Sequence, residues 1–244
     1  MINKLLSKMF NPRCVYINIY KSLSEIPKYF NTTNYLNKKQ NFLEFKNFKK
    51  KNNNFFYKIR ESFLSIFISS YNKELISILD IGGGFDNVYN FIVNSSKKSI
   101  DVTVLETDMI VDLMKPETQN ISNLTYINKI EETQKKFDIV YFGTSFQYFI
   151  PFEDFLKKVF KFNSKYIIIA DTIFLEERNS FITLQINTFP SIIPQKFNNL
   201  NEVIKHFKDN KYNLIYKSKR KPGRHNILKK NEYFYRDLIF EVGS

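Results

Sequence analysis

From residue 75 onward, short apolar runs alternate with stretches whose apolar residues recur at helical spacing. The runs cover residues 76–80, 102–106, 124–127, 137–142 and 166–171, and each is nearly all apolar rather than alternating. Helical stretches intervene after Gly84 and after Pro151. Strands that are apolar on both sides and separated by helices predict a parallel sheet covered on both faces. The rhythm then changes. Residues 199–210 place Leu200, Val203, Ile204 and Phe207 at helical spacing, which predicts a helix with one buried stripe. Two further strands, over 212–217 and 233–241, flank a short basic connection, with Pro222-Gly223 as the turn signal, and predict an antiparallel hairpin.

The first 72 residues have a different texture and read as a helical extension or cap (1–72) on the remainder (73–244). Ile2, Leu5, Leu6 and Met9 share one helical face, as in a short amphipathic helix packed on the body or touching a membrane surface. Lys46 to Lys51 reads as a solvated turn, with a phosphate-binding role as the alternative. There is no secretory signal pattern and no apolar run of membrane-spanning length, so a cytoplasmic protein is expected.

Composition limits the rest. The chain of 244 residues is 43% hydrophobic and 17% aromatic, enough apolar surface to exclude general disorder. Its single cysteine, Cys14, excludes an internal disulfide and any multi-cysteine metal site. A formal charge of +13 points toward nucleic acid, anionic membranes or phosphorylated substrates. However, Ala170 is the only alanine, tryptophan is absent and Asn and Lys abound, as an AT-rich coding sequence would produce. Part of the charge is therefore background.

The sharpest local feature is Leu79-Asp80-Ile81-Gly82-Gly83-Gly84, directly after the first run and opening a helix. Glycines allow a tight turn and close ligand approach, and a helix N-terminus offers unpaired N–H groups. Residue 87, where a dinucleotide fingerprint would have its last glycine, is Asn, and no P-loop Lys follows. Glu106 ends the second run, where an acidic side chain can accept both hydroxyls of a ribose. Carboxylates in place of a phosphate cradle suit a cationic nucleoside cofactor such as S-adenosylmethionine.

On these residues, 75–244 resembles a class I S-adenosylmethionine-dependent methyltransferase. The whole chain is similar to a family of methyltransferases from bacterial surface-polysaccharide (capsule and O-antigen) gene clusters. That narrower likeness rests on Val104-Leu105-Glu106, Val140-Tyr-Phe-Gly-Thr-Ser-Phe-Gln-Tyr148, Phe181-Ile-Thr-Leu-Gln185, Ile193-Pro194, the Tyr20-Lys-Ser-Leu-Ser-Glu25 segment and a weaker match near Tyr35. The resemblance implies an α/β, Rossmann-like fold: a seven-stranded, mostly parallel sheet with an antiparallel C-terminal hairpin. It also implies S-adenosylmethionine across the carboxyl ends of the first strands. Asp80 and Gly83 belong to the glycine motif, Gly82 and Gly84 face the methionine and ribose, and Glu106 holds the ribose hydroxyls. Met109 and Asn128 contact adenine, while Gly143 and Thr144 lie near the methionine. Where the family often ends its fourth strand in serines, this chain has Gly143-Thr144-Ser145-Phe146.

In this topology the acceptor lies at the carboxyl ends of strands four and five. Asp171 is the first candidate for a base, its alternative role being to cap a turn. Gln147 and Tyr148 read as acceptor-orienting groups, and His225 as a second candidate base. His206 reads as a surface residue and Cys14 as structural. No metal set is expected. The connection carrying Lys217, Lys219, Arg220, Lys221 and Arg224 emerges on the acceptor side if strand 212–217 runs parallel to the sheet. Together with Glu176 and Arg178 it reads as a site for a phosphate-bearing acceptor, or as a solvated basic turn. The expected activity is O-methylation of a sugar hydroxyl, on a nucleotide-activated hexose or heptose, in capsule or lipopolysaccharide synthesis. The alternatives are an RNA-binding methyltransferase and a non-catalytic scaffold of a glycan-assembly complex. A small-molecule substrate and a homodimer are the expected partners. Nucleic acid is not, because along the chain the cations look scattered.

Overall fold

Each apolar run forms a parallel strand in the computed structural model, which describes residues 14–28, 58–85, 87–93, 96–187, 192–221, 227–229 and 232–243. After a first strand β1 (Cys14–Tyr20), these are β2 (Leu75–Ile81), β3 (Ser99–Leu105), β4 (Leu124–Ile127), β5 (Ile139–Gly143) and β6 (Tyr166–Leu175). β2 is central, with β3 then β4 on one side and β5 then β6 on the other, all parallel. β10 (Tyr233–Val242) pairs antiparallel with β6, and β9 (Tyr212–Lys217) pairs antiparallel with β10. The hairpin is therefore as expected, and β9 points the same way as the parallel strands. Its far end opens on the edge where β2, β3 and β5 terminate.

The sheet is larger than the seven strands expected. β7 (Phe181–Asn187) and β8 (Ile192–Asn199) pair antiparallel, β1 pairs antiparallel with β7, and the whole comprises ten strands. The three extra strands join the main sheet where Phe174 and Leu175 of β6 pair in parallel with Asn198 and Asn199 of β8. A bulge lets β6 serve both groups. Arg236 faces Thr172 while Leu238 faces Ile169, so Ala170 and Asp171 together oppose Asp237. Asp171 sits there at φ 50°, and the strand, expected to end at that residue, continues to Leu175. β8 escaped detection because it carries Pro194, Gln195 and Lys196. At Pro194 it has a neighbour on one side only, the edge position that tolerates a missing donor.

Helices cover both faces. Leu64 and Ile68 of α1 (Lys58–Ser70), Val88 and Ile92 of α2 (Val88–Ile92) and Ile110 and Met114 of α3 (Asp108–Thr118) are buried with Ile76 and Ile78 of β2. On the other face, Phe152 and Leu156 of α4 (Phe152–Phe160) and Val203 and Phe207 of α5 (Leu200–Asp209) are buried with Leu79 and Ile81. One strand thus feeds two cores, the consequence of an apolar run without alternation. Asn199 starts α5 by accepting from the amides of Asn201 and Glu202 at 2.9 and 3.2 Å. His206 is not a surface residue as expected. It is half-buried with its ring 5.5 Å from Phe152 and 5.9 Å from Phe160, and burial lowers its pKa.

The N-terminal extension is likewise not wholly helical, since β1 is a strand of the sheet and α1 packs in its core. The short amphipathic helix around Leu5, the lysine turn at 46–51, the match near Tyr35 and the Pro222-Gly223 turn lie outside the described residues.

Candidate active site

The glycine turn follows β2 directly. Gly82 has φ 73° and donates its N–H to the Leu105 carbonyl at 2.9 Å, which ties the turn to the end of β3. A Cβ on Gly82 would stand 2.6 Å from Cβ of Ser145, so the turn packs against the loop after β5 with no room for a side chain. The Ser145 hydroxyl in turn donates to the Ile81 carbonyl. Gly83 lies over Asp80, whose Oδ2 would be 2.2 Å from an added Cβ. That carboxylate is 1% exposed and accepts the Val88 N–H at the start of α2, at 2.9 Å. Asp80 thus shapes the turn from beneath instead of facing a ligand.

Gly84 has φ 63° and donates its N–H to Glu106 Oε1 at 3.1 Å, while Thr107 N–H reaches Oε2 at 2.8 Å. The motif and the acidic strand end, 22 residues apart, are therefore in contact. Burial raises the Glu106 pKa, and the two N–H bonds only partly counter it. Beneath, Tyr126 donates to the Gly84 carbonyl at 2.8 Å and accepts from the Asn87 amide at 2.7 Å. This explains Asn at the position where a dinucleotide motif has glycine: a buried side-chain bond braces the loop from below. Nothing in the pattern of the chain marks Tyr126 for this role. Met109 is half-buried at the start of α3, and Asn128, just after β4, donates to Asp108 at 2.7 Å. Both stand at the same edge of the sheet as Glu106.

At the ends of β5 and β6, Thr144 adopts φ 63° and donates its N–H to the Ala170 carbonyl at 3.0 Å. Gln147 Nε2 donates to the Thr144 carbonyl at 2.6 Å, which fixes the amide orientation. Its Oε1 is buried without a hydrogen-bond partner among the described residues. Tyr148 donates to Gln185 of β7 at 2.8 Å, so the extra strands reach the acceptor side of the loop. In the sequence Gln185 stands out only as part of a family motif.

The acidic and basic candidates meet, but as partners. Arg220 donates to Asp171 at 2.8 Å and to Asp237 at 3.3 Å. Burial works against its charge, yet the two carboxylates outweigh this and raise its pKa. Asp237 Oδ1 also accepts the Asp171 amide at 2.8 Å, and Ser218 donates to Oδ2 at 2.8 Å. Arg220 is therefore not a free phosphate contact, and Asp171 is a clamped carboxylate, not an isolated base. Glu176 is corrected in the same way: it pairs with Lys219 at 2.9 Å and with buried Arg236, which leaves it a tie between β6 and the hairpin. Arg178 lies 4.7 Å over the Phe181 ring and 3.9 Å from Glu232. Asp237 and Arg236, which organise this cluster, looked in the sequence like ordinary residues of a strand. Arg224 and His225 lie outside the described residues. Among the described residues no cluster of three or more His, Cys, Asp or Glu could hold a metal, and no helix is long and apolar enough to cross a membrane.

No family model and no curated protein sequence matches the chain. Solved structures do. An S-adenosylmethionine-dependent methyltransferase from Clostridium acetobutylicum superposes with TM-score 0.53 at 14% identity, covering 83% of this chain and 99% of that one. Magnesium protoporphyrin IX methyltransferase from Synechocystis, solved with S-adenosylhomocysteine, gives 0.53 at 12% identity over 77% and 83%. Burkholderia thailandensis 1,6-didemethyltoxoflavin-N1-methyltransferase, bound to 1,6-didemethyltoxoflavin and S-adenosylhomocysteine, gives 0.52 at 9% over 83% and 87%. At these identities the likeness shows the fold: the chain has the Rossmann-like fold of class I methyltransferases.

Proposed function

We propose that the chain is an S-adenosylmethionine-dependent methyltransferase acting on a hydroxyl of a polar small molecule. The observation that carries the cofactor reading is the joined Gly84–Glu106 pair at 3.1 Å, a carboxylate held beside a glycine turn at the carboxyl edge. The donor set fits: Glu106 would take the ribose hydroxyls, the backbone of Gly82 and Gly84 would line the ribose and methionine, and Asn128 and Met109 would flank the adenine. The cofactor, when bound, supplies an electrophilic methyl group on a sulfonium centre. The protein's part is then to hold an acceptor oxygen in line with it and to exclude competing water. The buried Oε1 of Gln147 supports an alcohol acceptor, because an orphan acceptor costs about 1–3 kcal/mol until a donor reaches it. The Asp171–Arg220 clamp is read as a second orienting group, with Asp171 as the carboxylate nearest to a base role.

We read the acceptor as a sugar hydroxyl of a nucleotide-activated hexose or heptose, in capsule or lipopolysaccharide synthesis. That reading rests on the resemblance of the sequence, together with the cations Arg178, Lys217 and Lys221 on the acceptor side. With Arg220 and Lys219 engaged by carboxylates, charge lends it less support than the bare sequence did. Titration calorimetry with S-adenosylhomocysteine tests the cofactor, and no binding ends the methyltransferase reading in favour of a scaffold. Mass spectrometry after incubation with S-adenosylmethionine and a nucleotide-sugar panel tests the acceptor. Cofactor binding with no sugar gaining a methyl group ends the sugar reading.

A further inference from the structure

The opposite edge of the sheet carries a second feature that the methyltransferase reading does not use. A cavity of about 780 Å³ lies where β2, β5 and β6 begin, lined by residues between Tyr71 and Ser77, Ile130 and Asp138, and Lys158 and Lys165. Six of its sixteen lining residues are lysines: Lys73, Lys135, Lys136, Lys158, Lys161 and Lys165. The whole chain has 31 lysines among 244 residues, so this is roughly a threefold excess over a composition already rich in lysine. Cations that look scattered along the sequence are gathered by the fold, because they sit in the helix ends and loops that precede adjacent parallel strands.

The acidic groups there offset them only in part, and Glu241 beside them is engaged by a hydrogen bond from Tyr166. Lys73 pairs with Asp138 at 2.8 Å, Lys158 with Glu131 at 2.8 Å and Lys135 with Asp101 at 3.2 Å. Among the described residues, Lys136, Lys161 and Lys165 have no carboxylate partner. Lys165 instead stands 5.5 and 5.2 Å over the rings of Tyr71 and Tyr166. These two rings, edge to face at 5.6 Å, and that of Phe162 are half-buried beside the lysines. The row runs from the start of β3, where Lys135 meets Asp101, across β2 and β5 to β6; at about 4.8 Å per strand it spans about 14 Å. This is longer than a single phosphate group. The cations are all lysine, point charges suited to neutralising phosphodiesters without reading base edges. A cationic track interleaved with aromatic rings is the arrangement that holds single strands.

We propose that this amino-edge groove binds the phosphate backbone of single-stranded nucleic acid, without strong sequence preference, at a site separate from the cofactor edge. β2 alone, seven residues long, holds the two edges about 20 Å apart.

The test is fluorescence anisotropy with a labelled oligouridylate, titrated at several salt concentrations, on the full chain and two charge-matched triple variants. One variant carries Lys136→Glu, Lys161→Glu and Lys165→Glu. The other carries Lys21→Glu, Lys28→Glu and Lys205→Glu, exposed lysines outside the groove. The wild type is expected to bind with a steep salt dependence. The groove variant should bind about tenfold or more weakly, with its log–log salt slope reduced by about 2, as for three lost single-strand phosphate contacts. The control variant should keep most of its affinity. Circular dichroism and urea unfolding of the same three proteins check that each is folded, and calorimetry with S-adenosylhomocysteine separates failure here from failure of the cofactor reading. No wild-type binding, equal losses in both variants, or displacement of the RNA by polyglutamate or phosphatidylserine vesicles at equal charge would each overturn the proposal.

Discussion

The two edges of this sheet use the same chemistry in opposite ways. At the carboxyl edge, the clustered charges beside the site are matched, with Lys217 and Lys221 outside the cluster: Arg220 lies between Asp171 and Asp237, and Glu176 between Lys219 and Arg236. At the amino edge, Lys136, Lys161 and Lys165 have no carboxylate partner among the described residues. Backbone geometry divides likewise. Asn163 and Lys211, at φ 48° and 67°, follow α4 and α5 and close with bonds to Phe160 and Lys208, the left-handed exit common at helix ends. Thr144 and Asp171, at φ 63° and 50°, stand at the end of β5 and inside β6, where no helix exit calls for that conformation. Each such residue costs about 1–3 kcal/mol and persists only where its surroundings fix it. One edge is built to hold atoms in fixed places, and the other leaves exposed lysines without carboxylate partners at a surface. That difference is what substitutions can break.

The largest effect is expected at the rigid edge. Gly82→Ala places a Cβ 2.6 Å from that of Ser145 and forces alanine to φ 73°. The combined strain should cost about 2–4 kcal/mol in urea unfolding, and the displaced turn should abolish S-adenosylhomocysteine binding. A neutral outcome would mean that the turn is not fixed.

Glu106→Gln should instead leave the fold intact and weaken the cofactor by roughly 10- to 100-fold, the loss of charge-assisted bonds worth about 1.5–3 kcal/mol. Its pH dependence has a definite sign. The folded pKa lies above 4.5, so the folded state binds this proton more tightly than the unfolded chain. The stability from this group is full below 4.5 and falls as pH rises through the folded value. Cofactor affinity, which needs the carboxylate, rises through the same window. Calorimetry across that range should show the rise in the wild type and none in the variant.

Arg220→Met tests the matched charges. Asp171 and Asp237 would be left facing each other, and removing one partner of a part-buried cluster should cost about 1–2 kcal/mol after allowance for solvent. If the clamp orients the acceptor, kcat falls with little change in KM. A rise in KM alone would return Arg220 to phosphate binding.

How far the sequence foretold this arrangement depends on the range of the contact. The glycine turn, Glu106 and the parallel strands were legible because each rests on residues adjacent along the chain. β7 and β8 were not, because their polar residues are buried by each other and by partners far along the chain: β1, more than a hundred residues earlier, and Tyr148, which bonds Gln185. Arg220 and Glu176 read in the sequence as charges available to a ligand, whereas the fold engages both in ion pairs. Their partners, Asp171 and Arg236, come close only because β6 bulges beside β10. The lysine groove was invisible for the same reason: its members belong to loops that only the parallel sheet brings together.

The smallest effect is expected at the amino edge, from Asp138→Asn. This carboxylate accepts from Lys73 and from both the amide and hydroxyl of Ser77, at 2.8–2.9 Å, and so joins the starts of β2 and β5. Burial alone would raise its pKa, but the lysine and the Ser77 bonds outweigh this and hold it below 3.8. Its stabilisation is thus present above 3.8 and is lost as pH falls through the folded value. The substitution should cost about 1 kcal/mol at neutral pH, since Asn can still accept from Ser77 and the lysine is solvent-screened. The gap between wild type and variant should close in acid. Cofactor affinity should stay unchanged across the sheet, whereas release of Lys73 should strengthen oligouridylate binding about two- to threefold, for one further cation on the track. Weaker RNA binding in this variant would mean that the edge needs its ion pair as scaffolding, and that the two edges are less different than their charges suggest.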